Sequence, residues 1–149
     1  MPLEPPPRDA LGNVQPHDNA GISAGHGIIR RISEQQLVLD EKIGQRRISS
    51  LAFKASKGPL GGMSVDLEQS IVDAGLEPKR YVTSPRWIGS IRFLAGALRA
   101  DDYHVGFDPL PTNPHHGEVW GEFGRDNRRR LRKICHWYVP IDNAQIGDE

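Results

Sequence analysis

The stretch Glu118–Cys135, EVWGEFGRDNRRRLRKIC, decides the fold class, because the spacing of its apolar residues changes partway along. Val119, Gly121 and Phe123 alternate with Glu118, Trp120 and Glu122, the period of a half-exposed strand. Asp126 then stands where a cap belongs. Leu131, Ile134 and Cys135 share one face of a helix, and basic residues cover most of the rest. Trp137–Ile141 reads as a further strand.

Upstream, His26–Ile32 has the isoleucines of a strand, and Ser33 with Gln36 forms a capping box for a short helical turn. Arg47–Lys54 reads as a second strand, and Lys57–Gly62 as a glycine-rich loop. Leu67, Ile71 and Ala74 recur at helical spacing, with Ser64 as the cap and Gly75 as the stop. Trp87–Arg99 fits a helix interrupted by Gly89 and Gly96, or a strand over Ser90–Leu98. Tyr103–Phe107 alternates as a strand, and the prolines of Asp108–Pro114 make a rigid loop. Strands mixed with two helices, without regular βαβ alternation, specify a single α+β domain with a small mixed sheet.

Residues 1–25 hold five prolines and few large apolar groups, so they are expected to form a flexible leader. The domain then spans 26–141, and 142–149 is an acidic tail. The chain of 149 residues has no net charge, yet leader and tail carry −2 and −3 against +5 on the body. That balance is compatible with a phosphate-bearing partner. Cys135 is the only cysteine, which excludes an intrachain disulfide and a cysteine-based zinc site. No signal-peptide pattern and no membrane-spanning apolar run is present, so a cytoplasmic location without membrane association is expected.

Three clusters are candidates for chemistry. Arg30, Arg31, Arg46 and Arg47 lie near Ser49 and Ser50; guanidinium forks with hydroxyls would hold a phosphate or carboxylate. The plainer reading makes those arginines solvated edge residues. His115 and His116 precede Glu118. Neighbours on a strand point to opposite faces, so both histidines cannot reach one ion, and no metal or cofactor is expected. His116 alone suits a general acid or base, or a structural hydrogen bond. Finally, Arg125, Arg128, Arg129, Arg130, Arg132 and Lys133 would offer nucleic acid a phosphate-contact surface, or would be a solvated helix face.

The segments Ile29–Ile32 (IRRI), Arg47–Phe53 (RISSLAF), Met63–Val65 (MSV), Asp108–Pro111 (DPLP) and Pro114–Val119 resemble a family of short bacterial proteins without an assigned activity. The resemblance covers most of the body but not the leader. It implies that Arg31, Arg47, Ser49, Ser50, Ser64 and His116 belong to one site. A fainter likeness, to RES-type NAD-consuming toxins, lacks their G-G-R-W-N segment and matches their glutamate poorly at Glu118.

The leading expectation is an accessory or effector binding protein in a bacterial multi-protein system. It would recognise a nucleic acid, a nucleotide or a protein partner through the Arg/Ser face and the basic helix. The competing expectation is an enzyme that processes a nucleotide or NAD-like substrate. There Arg31 and Arg47 clamp phosphate, Ser49 or Ser64 orients or attacks, and His116 moves a proton. A purely structural interaction module is the third.

Overall fold

The computed structural model describes residues 2–147. In chain order the elements are β1 (Gly27–Ile32), β2 (Leu37–Asp40), β3 (Gln45–Ile48), β4 (Met63–Leu67), α1 (Glu68–Asp73), α2 (Pro78–Tyr81) and β5 (Gly89–Leu94). There follow α3 (Ala95–Ala100), β6 (His104–Phe107), β7 (His116–Trp120), α4 (Arg125–Ile134), β8 (His136–Val139) and β9 (Ala144–Gln145). The fold is α+β. One antiparallel sheet has the order β6-β7-β4-β1-β5-β8, and a second small sheet has the order β2-β3-β9.

Strand alternation divides the large sheet into two faces. Ile28 and Ile32 of β1, Val65 and Leu67 of β4, and Val119 of β7 join the main core, which α3 and α4 close with Leu98 and Leu131. Ile29 points the other way and packs with Ile71 and Val82 in a smaller cluster. Cross-strand partners share a face, and the register sets Ser64 opposite Glu118 and Asp66 opposite His116. The sheet face away from the main core therefore carries a run of polar groups.

Three segments fold otherwise than their spacing suggests. Ser64 caps no helix: Met63–Leu67 is a strand whose Met63, Val65 and Leu67 are buried, and α1 begins only at Glu68. Pairing on both sides, with β1 and β7, outweighs the local helical period. The strand expected over Arg47–Lys54 ends at Ile48. There the Ser49 hydroxyl accepts from Leu51 N–H and starts a 3-10 turn, Ser50–Phe53. Trp87–Arg99 is half of each reading, strand β5 followed by helix α3.

The leader lies along the body. Asn19 and Ile22 are buried, and residues 17–19 run beside β6. Asn19 N–H donates to Val105 O, while Val105 N–H donates to the Asp18 carboxylate and Phe107 N–H to His17 Nε2. The outer edge of β6 is thereby satisfied by backbone and side chains of a proline-rich segment. Of the acidic tail, Ala144–Gln145 pairs in parallel with β3, and Asp148 and Glu149 lie outside the described residues.

Candidate active site

β1 and β4 pair only at Ile28–Leu67 and Ile29–Asp66, although β1 continues to Ile32 and β4 starts at Met63. Beyond Ile29 the two strands part. Arg30 fills the gap from the core side: its Nη1 donates to Ser64 O at 2.8 Å and its Nε to Ala52 O at 3.0 Å. Arg31, on the opposite face, forks onto Asp66 with contacts of 2.7 and 2.9 Å. A cavity of about 270 Å³ opens at this split, lined by Arg30, Arg31, Ser64, Asp66, Trp87, Asn113 and His116.

Within it, Ser64 Oγ lies 2.5 Å from His116 Nε2. The other ring nitrogen, Nδ1, is 2.8 Å from the backbone oxygen of Asp108 and 3.3 Å from its carboxylate. A carbonyl only accepts, so Nδ1 carries the proton and donates. Nε2 is then the bare acceptor and receives the serine hydroxyl. The chain thus holds a Ser64–His116–Asp108 relay with the tautomer set for removing the Ser64 proton. The side chain of His116 is only 8% exposed, which shields the relay from water.

Glu118 closes the cluster. Its Oε2 accepts from Gly62 N–H at 2.9 Å and its Oε1 lies 3.9 Å from His116 Nε2. Burial first, and the negative charge of Asp108 second, push its carboxyl up to about 7; the Gly62 N–H and Arg30 pull the other way. Burial also lowers the Arg30 pKa, opposed by Glu118 and Asp66. Gly62 is required at its position, because a Cβ there would sit 2.8 Å from Glu118 Oε2 and 2.7 Å from Val119 O.

Asp108, His116 and Glu118 each offer a donor atom within 4.8 Å of the others. Nδ1 is held by Asp108, so a cation joining all three would have to take Nε2 from Ser64. His115 serves elsewhere, with Nδ1 2.7 Å from Ser70 Oγ, as expected for neighbours on opposite faces.

Of the candidate residues, Arg31, Ser64 and His116 meet in the cavity, while Arg47, Ser49 and Ser50 do not line it. Arg47 pairs with Asp40 at 3.3 Å within the second sheet, Ser49 caps the 3-10 turn and Ser50 begins it. Arg132 is buried, donating to Ile48 O at 2.7 Å and to Ile146 O. Arg128 donates to Phe123 O, Arg129 pairs with Asp126 and Arg130 with Asp101. Arg125 and Lys133 are exposed. Cys135 is buried with its thiol pushed up to about 12 by desolvation, which disqualifies it as a nucleophile.

Asp66, Asp108 and Asn113 belong to the site but to none of the three sequence clusters, whereas Glu118 stands beside the histidine pair. Asn113 Nδ2 donates to Asp66 at 2.8 Å, and Tyr81 donates to Asn113 at 2.8 Å, so the Arg31–Asp66 pair is braced by an Asn113 that is itself held in place. The available signal was alternation: a polar Ser64–Asp66 set and a polar His116–Glu118 set are what two paired strands present on one face. Comparison with protein-family models, with curated proteins and with solved structures gives no match.

Proposed function

We propose that the chain is a Ser–His enzyme acting on a phosphate-bearing small substrate of the nucleotide class. The observation that carries this reading is Ser64 Oγ at 2.5 Å from an Nε2 whose tautomer is fixed by the Asp108 carbonyl. Arg30 spends Nε and Nη1 on the Ala52 and Ser64 carbonyls, and Arg31 spends Nε and Nη2 on the Asp66 carboxylate. The remaining Nη of each is the donor available to a phosphate oxygen. Trp87 adds a half-buried indole to the same cavity, a surface on which a planar base stacks.

In the step this supports, Ser64 Oγ forms a bond to phosphorus as the leaving oxygen departs. The hydroxyl proton passes to His116 Nε2 and then to the leaving oxygen, and water reverses the sequence to free Ser64. The nucleic-acid reading through α4 has less support, since Arg132 is structural and Arg128, Arg129 and Arg130 are bound within the protein.

The test is labelling of the intact protein with an alkyl fluorophosphonate, in which Oγ–P forms and P–F breaks. The expected result is one adduct on Ser64, lost in Ser64→Ala and slowed by adenosine monophosphate but not by adenosine. Wild type that labels no faster than Ser64→Ala overturns the nucleophile. Labelling that the nucleotide does not slow overturns the substrate class alone.

A further inference from the structure

A second cavity, of about 190 Å³, lies where the leader crosses the start of β1 and α1. It shares no lining residue with the Ser64 cavity. Its walls are mostly apolar, with Leu3, Ile22, Ile28 and Leu67 among them, and Ser70 and Asp73 stand on the polar side. An apolar void of about 150 Å³ is known to stay dry and to take up benzene, so this volume suits one ring or a short aliphatic chain. We propose that it is a ligand site for a small uncharged molecule of that size ending in a hydroxyl.

The polar end follows from Ser70. Its hydroxyl is 2.7 Å from Nδ1 of the buried His115, whose ring stands edge-on to Tyr81. A hydroxyl has one proton and two lone pairs, so Ser70 keeps hydrogen-bonding capacity beyond that contact. The charge preference follows from the lining, which includes Asp73 and no lysine or arginine; its one imidazole, His26, accepts the Ser23 N–H on Nδ1 at 3.1 Å, so that nitrogen carries no proton. A carboxylate would enter without a counter-charge, whereas an alcohol needs none.

The leader supplies one wall and is seated precisely enough to do so. Asn19, 1% exposed, accepts from Glu4 N–H and donates to Glu4 O. Gly21 lies directly beneath Pro2: a Cβ at position 21 would stand 2.2 Å from Pro2 O. Gly21→Ala therefore lifts the strap that forms the wall, and Leu3→Trp fills the cavity from the strap without substituting any residue of the sheet.

The experiment is an amide-resolved NMR titration of the full chain with benzyl alcohol, and with benzoate as the charged control. Saturable shifts at Ile22, Ile28 and Leu67 are expected, with benzoate weaker by at least roughly tenfold. Both variants should lose these shifts while Leu3→Trp retains the wild-type spectrum elsewhere. The proposal is overturned if benzyl alcohol gives no saturable shift, or if Leu3→Trp binds it as wild type does. Equal affinity for benzoate overturns the stated ligand class.

Discussion

Ser64 and His116 meet through Oγ and Nε2 from diagonal positions of the β4–β7 ladder, and the main-chain oxygen of Asp108 fixes which ring nitrogen is free. In a Ser–His–Asp triad whose carboxylate sets the tautomer, Asp→Asn costs about 10⁴ in rate. Here the carbonyl at 2.8 Å, nearer than the carboxylate at 3.3 Å, sets it. Asp108→Asn keeps that carbonyl. It should therefore slow fluorophosphonate labelling of Ser64 by less than about tenfold, whereas His116→Gln should slow it by about a hundredfold or more. Rates from intact mass spectrometry separate the two.

Glu118 makes stability depend on pH in a direction that can be stated. Its carboxyl is raised from 4.5 to about 7 in the fold. The folded state thus holds a proton that the unfolded chain releases between those values. The stabilisation from this group is complete below the unfolded value and is lost as pH rises through about 7. Glu118→Gln is neutral throughout and keeps an acceptor for Gly62 N–H. Denaturant titrations at about pH 5.5 and about pH 8.5 should favour the variant at the higher pH. The change in their difference should be on the order of 2 kcal/mol, discounted for residual solvent screening.

The basic helix carries two kinds of cation. Arg132 is 3% exposed, donates to two carbonyls and lies 5.4 Å over the Phe53 ring. Arg132→Met removes the donor from Ile146 O and leaves Ile48 O the 3.4 Å contact with Arg47 Nη1, and should cost about 2–4 kcal/mol in unfolding free energy. Lys133 is exposed, and Lys133→Ala should change it by no more than about 0.5 kcal/mol. Equal effects would show that burial does not separate the two residues.

The α+β class was legible because the change of period from Glu118 to Cys135 is local and long enough to survive folding. Helix α4 falls where Leu131 and Ile134 place it. The strand at Ser64 was not legible: Leu67, Ile71 and Ala74 do sit at helical spacing, and only partners far along the chain, Ile29 and Val119, show that Met63–Leu67 is extended. The site was half legible for the same reason. Ser64 and His116 stand out as chemistry-bearing types, but their contact spans 52 residues and rests on the β4–β7 register. Composition also misrepresents the leader, because its ordering comes from two apolar residues that seat on the core, Ile22 and Leu3, together with a few polar side chains.

Those side chains give the last prediction. Val105 and Phe107 turn their N–H groups to the outer edge of β6, where Asp18 and His17 accept them, and Asn19 ties the strand to Glu4. The Asp18 carboxylate also takes Arg99 Nε at 3.0 Å, so one side chain joins the leader, β6 and α3. Asp18→Ala leaves the Val105 amide and the Arg99 guanidinium each without this partner, at about 1–3 kcal/mol. The leader should then be cut first. Limited proteolysis should nick residues 2–17 in Asp18→Ala and in Asn19→Ala well before the body, while wild type resists at both places. A leader cleaved equally fast in wild type would mean that these bonds do not hold it.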